Sequence, residues 1–282
     1  MAIKDILFAL TTYPSRTPES SVVDAVAIAA ALDARIAAVA CEVAIKLPGT
    51  LFGSVLIDLP GIVAGEEKKS TEAAARLLSI FNDETKRQGV AAEAISEKCL
   101  TMDVPKTLVE YARMRDLTIV PVPEGNDFDQ WYAESLIFGS ARPTLVIPHE
   151  WKNRVPFRLN TAVIAWDFSK SATRAVYDAL PILQKMKRVY LVTVTNEKEI
   201  DTQRSASEMA KHLAHHGVQM TVDTVDAEGR DIGTTIKSYC ATRDADVLVM
   251  GAYGHSRLRE FILGGATRSV LSKPTLPVLM SH

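Results

Sequence analysis

The feature that most limits what this chain can fold into is an internal repeat. Gly89 and Val90 recur as Gly217 and Val218, and Tyr111, Arg115 and Asp116 recur as Tyr239, Arg243 and Asp244, all at an offset of 128 residues. Pro143 and Thr144 recur as Pro274 and Thr275 at an offset of 131, and Arg35 recurs as Arg188 at 153. Five identities at one offset mark a duplicated supersecondary unit. The chain therefore reads as two tandem halves, 1–150 and 151–282, joined by the polar stretch from His149 to Asn160. The falling offset places about 25 extra residues in the first half, between its second strand and the following helix. That stretch is the Gly- and Pro-punctuated apolar insert 46–65, KLPGTLFGSVLIDLPGIVAG.

Within each half, short β-branched apolar runs alternate with helix-length segments, the pattern of a buried parallel sheet crossed by helices. In the second half the expected strands are Ala162–Trp166, Arg188–Val194, Gln219–Thr224, Asp246–Met250 and Val278–Met280, with helices starting at Ser169, near Thr202 and near Gly229. The expected fold is α/β: two tandem flavodoxin-like, Rossmann-like domains, each a five-stranded parallel sheet flanked by helices. The last strands of the two halves would be bare edges if separated; their pairing in an internal pseudo-dimer is implied by the family resemblance that the glycine spacing described below carries.

Composition supports a globular chain and excludes several partners. Of 282 residues 47% are hydrophobic, enough to bury a core in each half, and 32 Lys+Arg against 34 Asp+Glu leave no basic footprint for nucleic acid or an anionic membrane. The N-terminus reads as a first strand interrupted by Lys4 and Asp5, with no signal peptide, and Val22–Ala40 carries too many charges to span a bilayer. Cys41, Cys99 and Cys240 lack metal or redox spacing and fit a reduced compartment, so a cytoplasmic protein is expected.

In a sheet of this kind the ligand crevice lies beyond the carboxyl ends of the first and fourth strands, where strand order reverses. The second half carries two features there. Asp167 follows its first strand, and GAYGHSRLREFILGGATRSVL follows its fourth, with Gly251, Gly254, Gly264 and Gly265 ahead of a helix beginning near Ala266. Glycine lets backbone N–H groups approach a ligand, and a helix N-terminus adds unpaired donors and a favourable dipole, so the segment suits a polyphosphate. Thr267 and Ser269 supply hydroxyls nearby, and His255, Arg257 and Arg259 supply charge. Glycine turns also arise for geometry alone, and Asp167 could simply cap the next helix.

The spacing Gly251-x2-Gly254-x9-Gly264, followed by a short helix and PTLPVLMSH, resembles the universal stress protein family, in particular its tandem two-domain members. The resemblance implies a stress-response protein that binds ATP, or ADP or AMP, with magnesium left open. It would act as a nucleotide-dependent regulator or chaperone-like survival factor toward an unknown protein partner, with homodimerisation a further expectation. Carried over residue by residue, it places Asp167 at the nucleoside and the Val194 backbone at adenine. Gly251, Gly254, His255, Gly264, Gly265, Ala266 and Thr267 fall around ribose and phosphates. Where the family pattern has Ser or Thr after the third glycine, this chain has Gly265.

The first half lacks these residues: the repeat sets Thr11 against Asp167, Pro123 against Gly251 and Asn126 against Gly254. One nucleotide per chain is therefore expected. Trp131 and Tyr132 either plug the vacated phosphate space or form a contact surface, and the insert is expected to form a lid over the degenerate cleft. His212, His215 and His216 read as a solvated helix end, and Cys240 as a small inert core residue. With no Walker lysine and no arranged base, His255 and Glu260 support at most slow hydrolysis. The other readings are a nucleotide-free interaction scaffold, a hydrophobic-ligand binder, or a slow adenine-nucleotide hydrolase.

Overall fold

The computed structural model describes residues 2–46, 59–125, 127–149, 157–195, 202–252 and 265–282. The first half runs β1 (Asp5–Leu10), α1 (Glu19–Leu32), β2 (Arg35–Ala44), α2 (Leu59–Gln88), β3 (Ala92–Leu100), α3 (Val104–Arg113), β4 (Leu117–Val122), α4 (Asp127–Gly139) and β5 (Thr144–Pro148). The second runs β6 (Thr161–Ala165), α5 (Lys170–Leu183), β7 (Arg188–Thr195), α6 (Thr202–His215), β8 (Thr221–Asp226), α7 (Ile232–Thr242), β9 (Val247–Gly251), α8 (Gly265–Ser272) and β10 (Val278–Ser281).

These strands form one ten-stranded sheet in the order β3-β2-β1-β4-β5-β10-β9-β6-β7-β8. Each half is parallel and doubly wound, and the halves meet where β5 and β10 pair antiparallel. Leu145 and Leu279 are direct partners at the centre of that seam. The helices α1, α2, α5 and α6 enclose one apolar core, α3, α4, α7 and α8 the other, and both cores run the width of the sheet. Central strands such as Ile6–Leu10 and Leu117–Val122 are buried throughout because both faces are covered. The outer strands β3 and β8 are the most exposed.

The repeat identities have local causes. Gly89 and Gly217 close α2 and α6 in the left-handed region, at φ +68° and +79°. The N–H of the next valine then reaches back into the helix, Val90 to the Thr85 carbonyl and Val218 to the Leu213 carbonyl. Ser169 caps α5 by accepting from the Ala172 N–H at 3.0 Å, and Asp231 caps α7 by accepting from the Thr234 N–H at 3.0 Å, each cap contributing about 1 kcal/mol.

Strand register corrects the repeat alignment near the crevice. Asp116 accepts from the backbone N–H groups that open β1, and the residue that does this for β6 is Asp246. Asp244, at φ +47°, and Ala245 are therefore additional in the second half. Ile6 pairs with Leu117 and Ala162 with Val247, so the register sets Pro121, not Pro123, against Gly251, while Asn126 and Gly254 lie outside the described residues. Sequence identity at the helix end concealed a two-residue slip in the turn that follows.

Of the insert, expected as a loop with its own short hairpin or helix, residues 59–65 form the opening turns of the 30-residue α2. None of them is fully buried, with Ile62 54% exposed, and the buried face of α2 begins at Ser70. Residues 47–58 lie outside the described residues. Among the described residues no helix is long and apolar enough to cross a membrane.

Candidate functional site

Three elements of the second half converge at the carboxyl end of the sheet. The β6–β7 register persists one residue past β6, through the Trp166 N–H donating to the Val192 carbonyl at 2.9 Å. Asp167 is thereby level with Val194 on the next strand. On the other side, Gly251 ends β9 level with Trp166.

Asp167 accepts from the Ser169 N–H through Oδ1 at 3.0 Å. Between them Phe168 takes a left-handed backbone, φ +61°, and leaves its ring 62% exposed, 6.1 Å from the buried Trp166 ring. The expected cap is thus shared: Asp167 holds the turn, and Ser169 caps the helix. Gly251 has a packing reason as well. A Cβ there would lie 2.4 Å from the Ala172 nitrogen and 2.5 Å from the Ser171 carbonyl carbon, so only glycine lets the start of α5 lie against the end of β9.

At α8, Gly265 is exposed with open space where a Cβ would stand, and Ala266 is half-buried. Thr267 is 3% exposed and turns inward with Val270 and Leu271. Ser269 packs against α7, where a Cβ on Gly233 would meet it at 2.6 Å. The exposed start of α8 therefore presents backbone at Gly265, while the Thr267 hydroxyl is enclosed. Gly254, His255 and Gly264 lie outside the described residues, as do Arg257, Arg259 and Glu260. Val194 pairs with Val225 of β8, and among the described residues no side chain donates to its carbonyl.

At the matching end of the first half, internal hydrogen bonds take up the strand-end groups beside a cavity of about 400 Å³ lined by Thr12, Tyr13, Arg16, Lys69 and Arg76. Leu10 pairs with Ala40, which sets Thr11 level with Cys41 as Asp167 is level with Val194. Thr12, next in the chain, donates its hydroxyl to the Cys41 carbonyl and meets the Ser70 hydroxyl at 2.7 Å. Ser70 accepts from the Val43 N–H at 2.9 Å, and Glu67 accepts from the Ile45 N–H at 2.8 Å. From the other face, fully buried Tyr132 of α4 donates to the Tyr13 carbonyl at 3.2 Å. Of the two expectations for Tyr132 the structure selects the plug. These ties escaped the sequence reading because they join residues 29 to 119 positions apart, with no periodic signal.

The remaining candidates are structural. His212 Nε2 lies 3.1 Å from the Tyr177 hydroxyl, and among the described residues no group of three His, Cys, Asp or Glu could hold a metal. Cys240 is buried, its thiol pushed up to about 12 by desolvation.

The second half is a doubly wound α/β unit with a helix N-terminus and an acidic residue at the carboxyl end of its sheet. Residues 159–282, the half that carries this arrangement, match the Universal stress protein family. Through this half the chain is similar to that family. A curated universal stress protein of Synechocystis is 28% identical over 149 residues, 52% of this chain and 49% of the relative, so the match spans about half the relative's length. Among solved structures, a universal stress protein of Archaeoglobus fulgidus shares the fold over 98% of this chain and 97% of its own, with a TM-score of 0.69 at 16% identity. A putative universal stress protein of Pseudomonas aeruginosa does so over 99% and 93%, with a TM-score of 0.61 at 16% identity.

Proposed function

We propose that the second half binds an adenine nucleotide, ATP in the first instance, and that the bound nucleotide acts as a signal in a stress response. The observation that carries this reading is the contrast at one strand end. The Cys41 carbonyl accepts from the Thr12 hydroxyl, whereas among the described residues no side chain donates to the Val194 carbonyl, level with Asp167. An adenine amino group is a donor suited to such a carbonyl, and the Asp167 carboxylate suits ribose hydroxyls. The start of α8, bare at Gly265, offers backbone N–H groups to phosphate. Magnesium would accompany the phosphates, contributing charge neutralisation only. The described residues at this strand end supply orientation, and we read the nucleotide as a regulatory ligand.

The test is to purify the chain without added nucleotide, denature it, quantify what is released, and titrate the emptied protein with ATP by calorimetry. One adenine nucleotide per chain supports the reading. Two equivalent sites would contradict a site confined to the second half. No released nucleotide and no heat with millimolar ATP would leave an interaction scaffold in its place.

A further inference from the structure

We infer that Phe168 is the stacking platform for the ligand's base, a conclusion that rests on the nucleotide reading above and names the residue that grips its aromatic end. Two observations meet at this residue. The first is its conformation: a non-glycine residue at φ +61° carries a backbone cost, and here a phenylalanine bears it with its ring 62% exposed. Among the described residues its one aromatic neighbour is Trp166, at 6.1 Å. Burial therefore returns little for the strain.

The second is position. The sheet register sets Thr12 of the first half against Phe168 of the second, each directly after the residue level with the second strand's end. Thr12 reaches that end and occupies the Cys41 carbonyl with its own hydroxyl. The Phe168 side chain has no donor, and among the described residues no side chain donates to the equivalent Val194 carbonyl, one register step from this exposed aromatic residue. A planar heteroaromatic base that hydrogen-bonds along its edge and stacks through its face meets both groups at once. The Asp167 carboxylate, by accepting from the Ser169 N–H, holds the turn that presents the ring.

The experiment titrates the full chain and the variants F168G and F168W with ATP and, separately, with inorganic tripolyphosphate, which has no base. Glycine relieves the left-handed strain, so F168G is expected to fold with an unfolding midpoint equal to or above that of the parent chain. Its ATP affinity should fall by roughly five- to a hundredfold, the range for loss of one base-stacking aromatic. Tripolyphosphate affinity should stay unchanged, and F168W should restore ATP binding. Equal ATP affinity in F168G and the parent chain overturns the platform and leaves nucleotide binding standing. Parallel loss of ATP and tripolyphosphate overturns it too, because the residue would then shape the whole site. A parent chain that binds neither ligand overturns both this inference and the nucleotide reading.

Discussion

The Tyr132 hydroxyl donates to the Tyr13 carbonyl at 3.2 Å, bridging α4 to the turn after β1 across the carboxyl end of the first half's sheet. Together with Thr12 on the Cys41 carbonyl and Ser70 on the Val43 N–H, it ties the strand ends of the first half together by internal contacts. The duplicated halves thus differ at their strand ends while keeping one strand order and one seam.

Tyr132 should therefore contribute to stability, not to binding. Y132F leaves the Tyr13 carbonyl without this donor and should cost about 1 kcal/mol. Y132A opens a cavity among Leu136, Val120 and their neighbours and should cost about 3–5 kcal/mol. Urea unfolding monitored by circular dichroism measures both, and ATP affinity should be unchanged in Y132F.

The two glycines nearest the crevice should respond in opposite ways. G251A forces the start of α5 away from β9, since the new Cβ would meet backbone at 2.4 and 2.5 Å, and should destabilise by about 1–3 kcal/mol. G265S meets open space and should change stability by less than about 0.5 kcal/mol. It also restores a hydroxyl where the family pattern carries one, so it should tighten ATP binding. Thermal unfolding and calorimetry on both variants check this pair of outcomes.

How much of this was legible in the sequence follows from the range of the interactions involved. Strand and helix identities depend on local apolar runs, glycine stops and caps such as Ser169, and these were readable. The convergence of Asp167 and Gly251 was readable too, because strand order in a doubly wound sheet follows from right-handed crossovers. The identity of Asp246 as the counterpart of Asp116 was hidden, because Asp244 offers a false match two residues earlier. The packing of Gly251 against Ala172 and the strained turn at Phe168 depend on tertiary contact and backbone torsion, which composition and periodicity do not encode. The helical opening of α2 at Leu59–Gly65 was masked by Pro60, Gly61 and Gly65, residues that read locally as loop.

The three thiols should differ sharply in reactivity. Cys41 and Cys240 are buried, and Cys99 is half-exposed on β3, opposite Val43. A hydrogen bond from Cys41 holds the Cys99 thiol below the ordinary range and pushes Cys41 up, while desolvation raises Cys240. Thiolate is the reacting species. Iodoacetamide at pH 7.5 should therefore modify Cys99 first in the native chain and all three residues after denaturation, as peptide mass mapping would show. Faster labelling of Cys240 would contradict the assignment.

His149 should give the fold a specific acid sensitivity. It follows β5, where its N–H donates to the Val122 carbonyl at 3.1 Å, and its Nε2 is enclosed without a hydrogen-bond partner. Desolvation lowers the imidazole from 6.5 to about 4. The folded state thus favours the neutral ring, whereas the unfolded chain takes up a proton below about pH 6.5. Stability from this group is complete above that value, declines as pH falls from 6.5 toward 4, and changes no further below. Between pH 7 and pH 4.5 the loss should be about 2 kcal/mol, allowing for the ring's partial exposure. Carboxylates held low by partners, among them Glu84 by Arg87 and Asp231 by Thr234, add their own decline at lower pH. Comparison with H149Q separates the contributions, because the variant keeps the carboxylates and removes the ring. Urea unfolding across this range should show a shallower decline for H149Q than for the parent chain, and identical slopes would remove His149 as the cause.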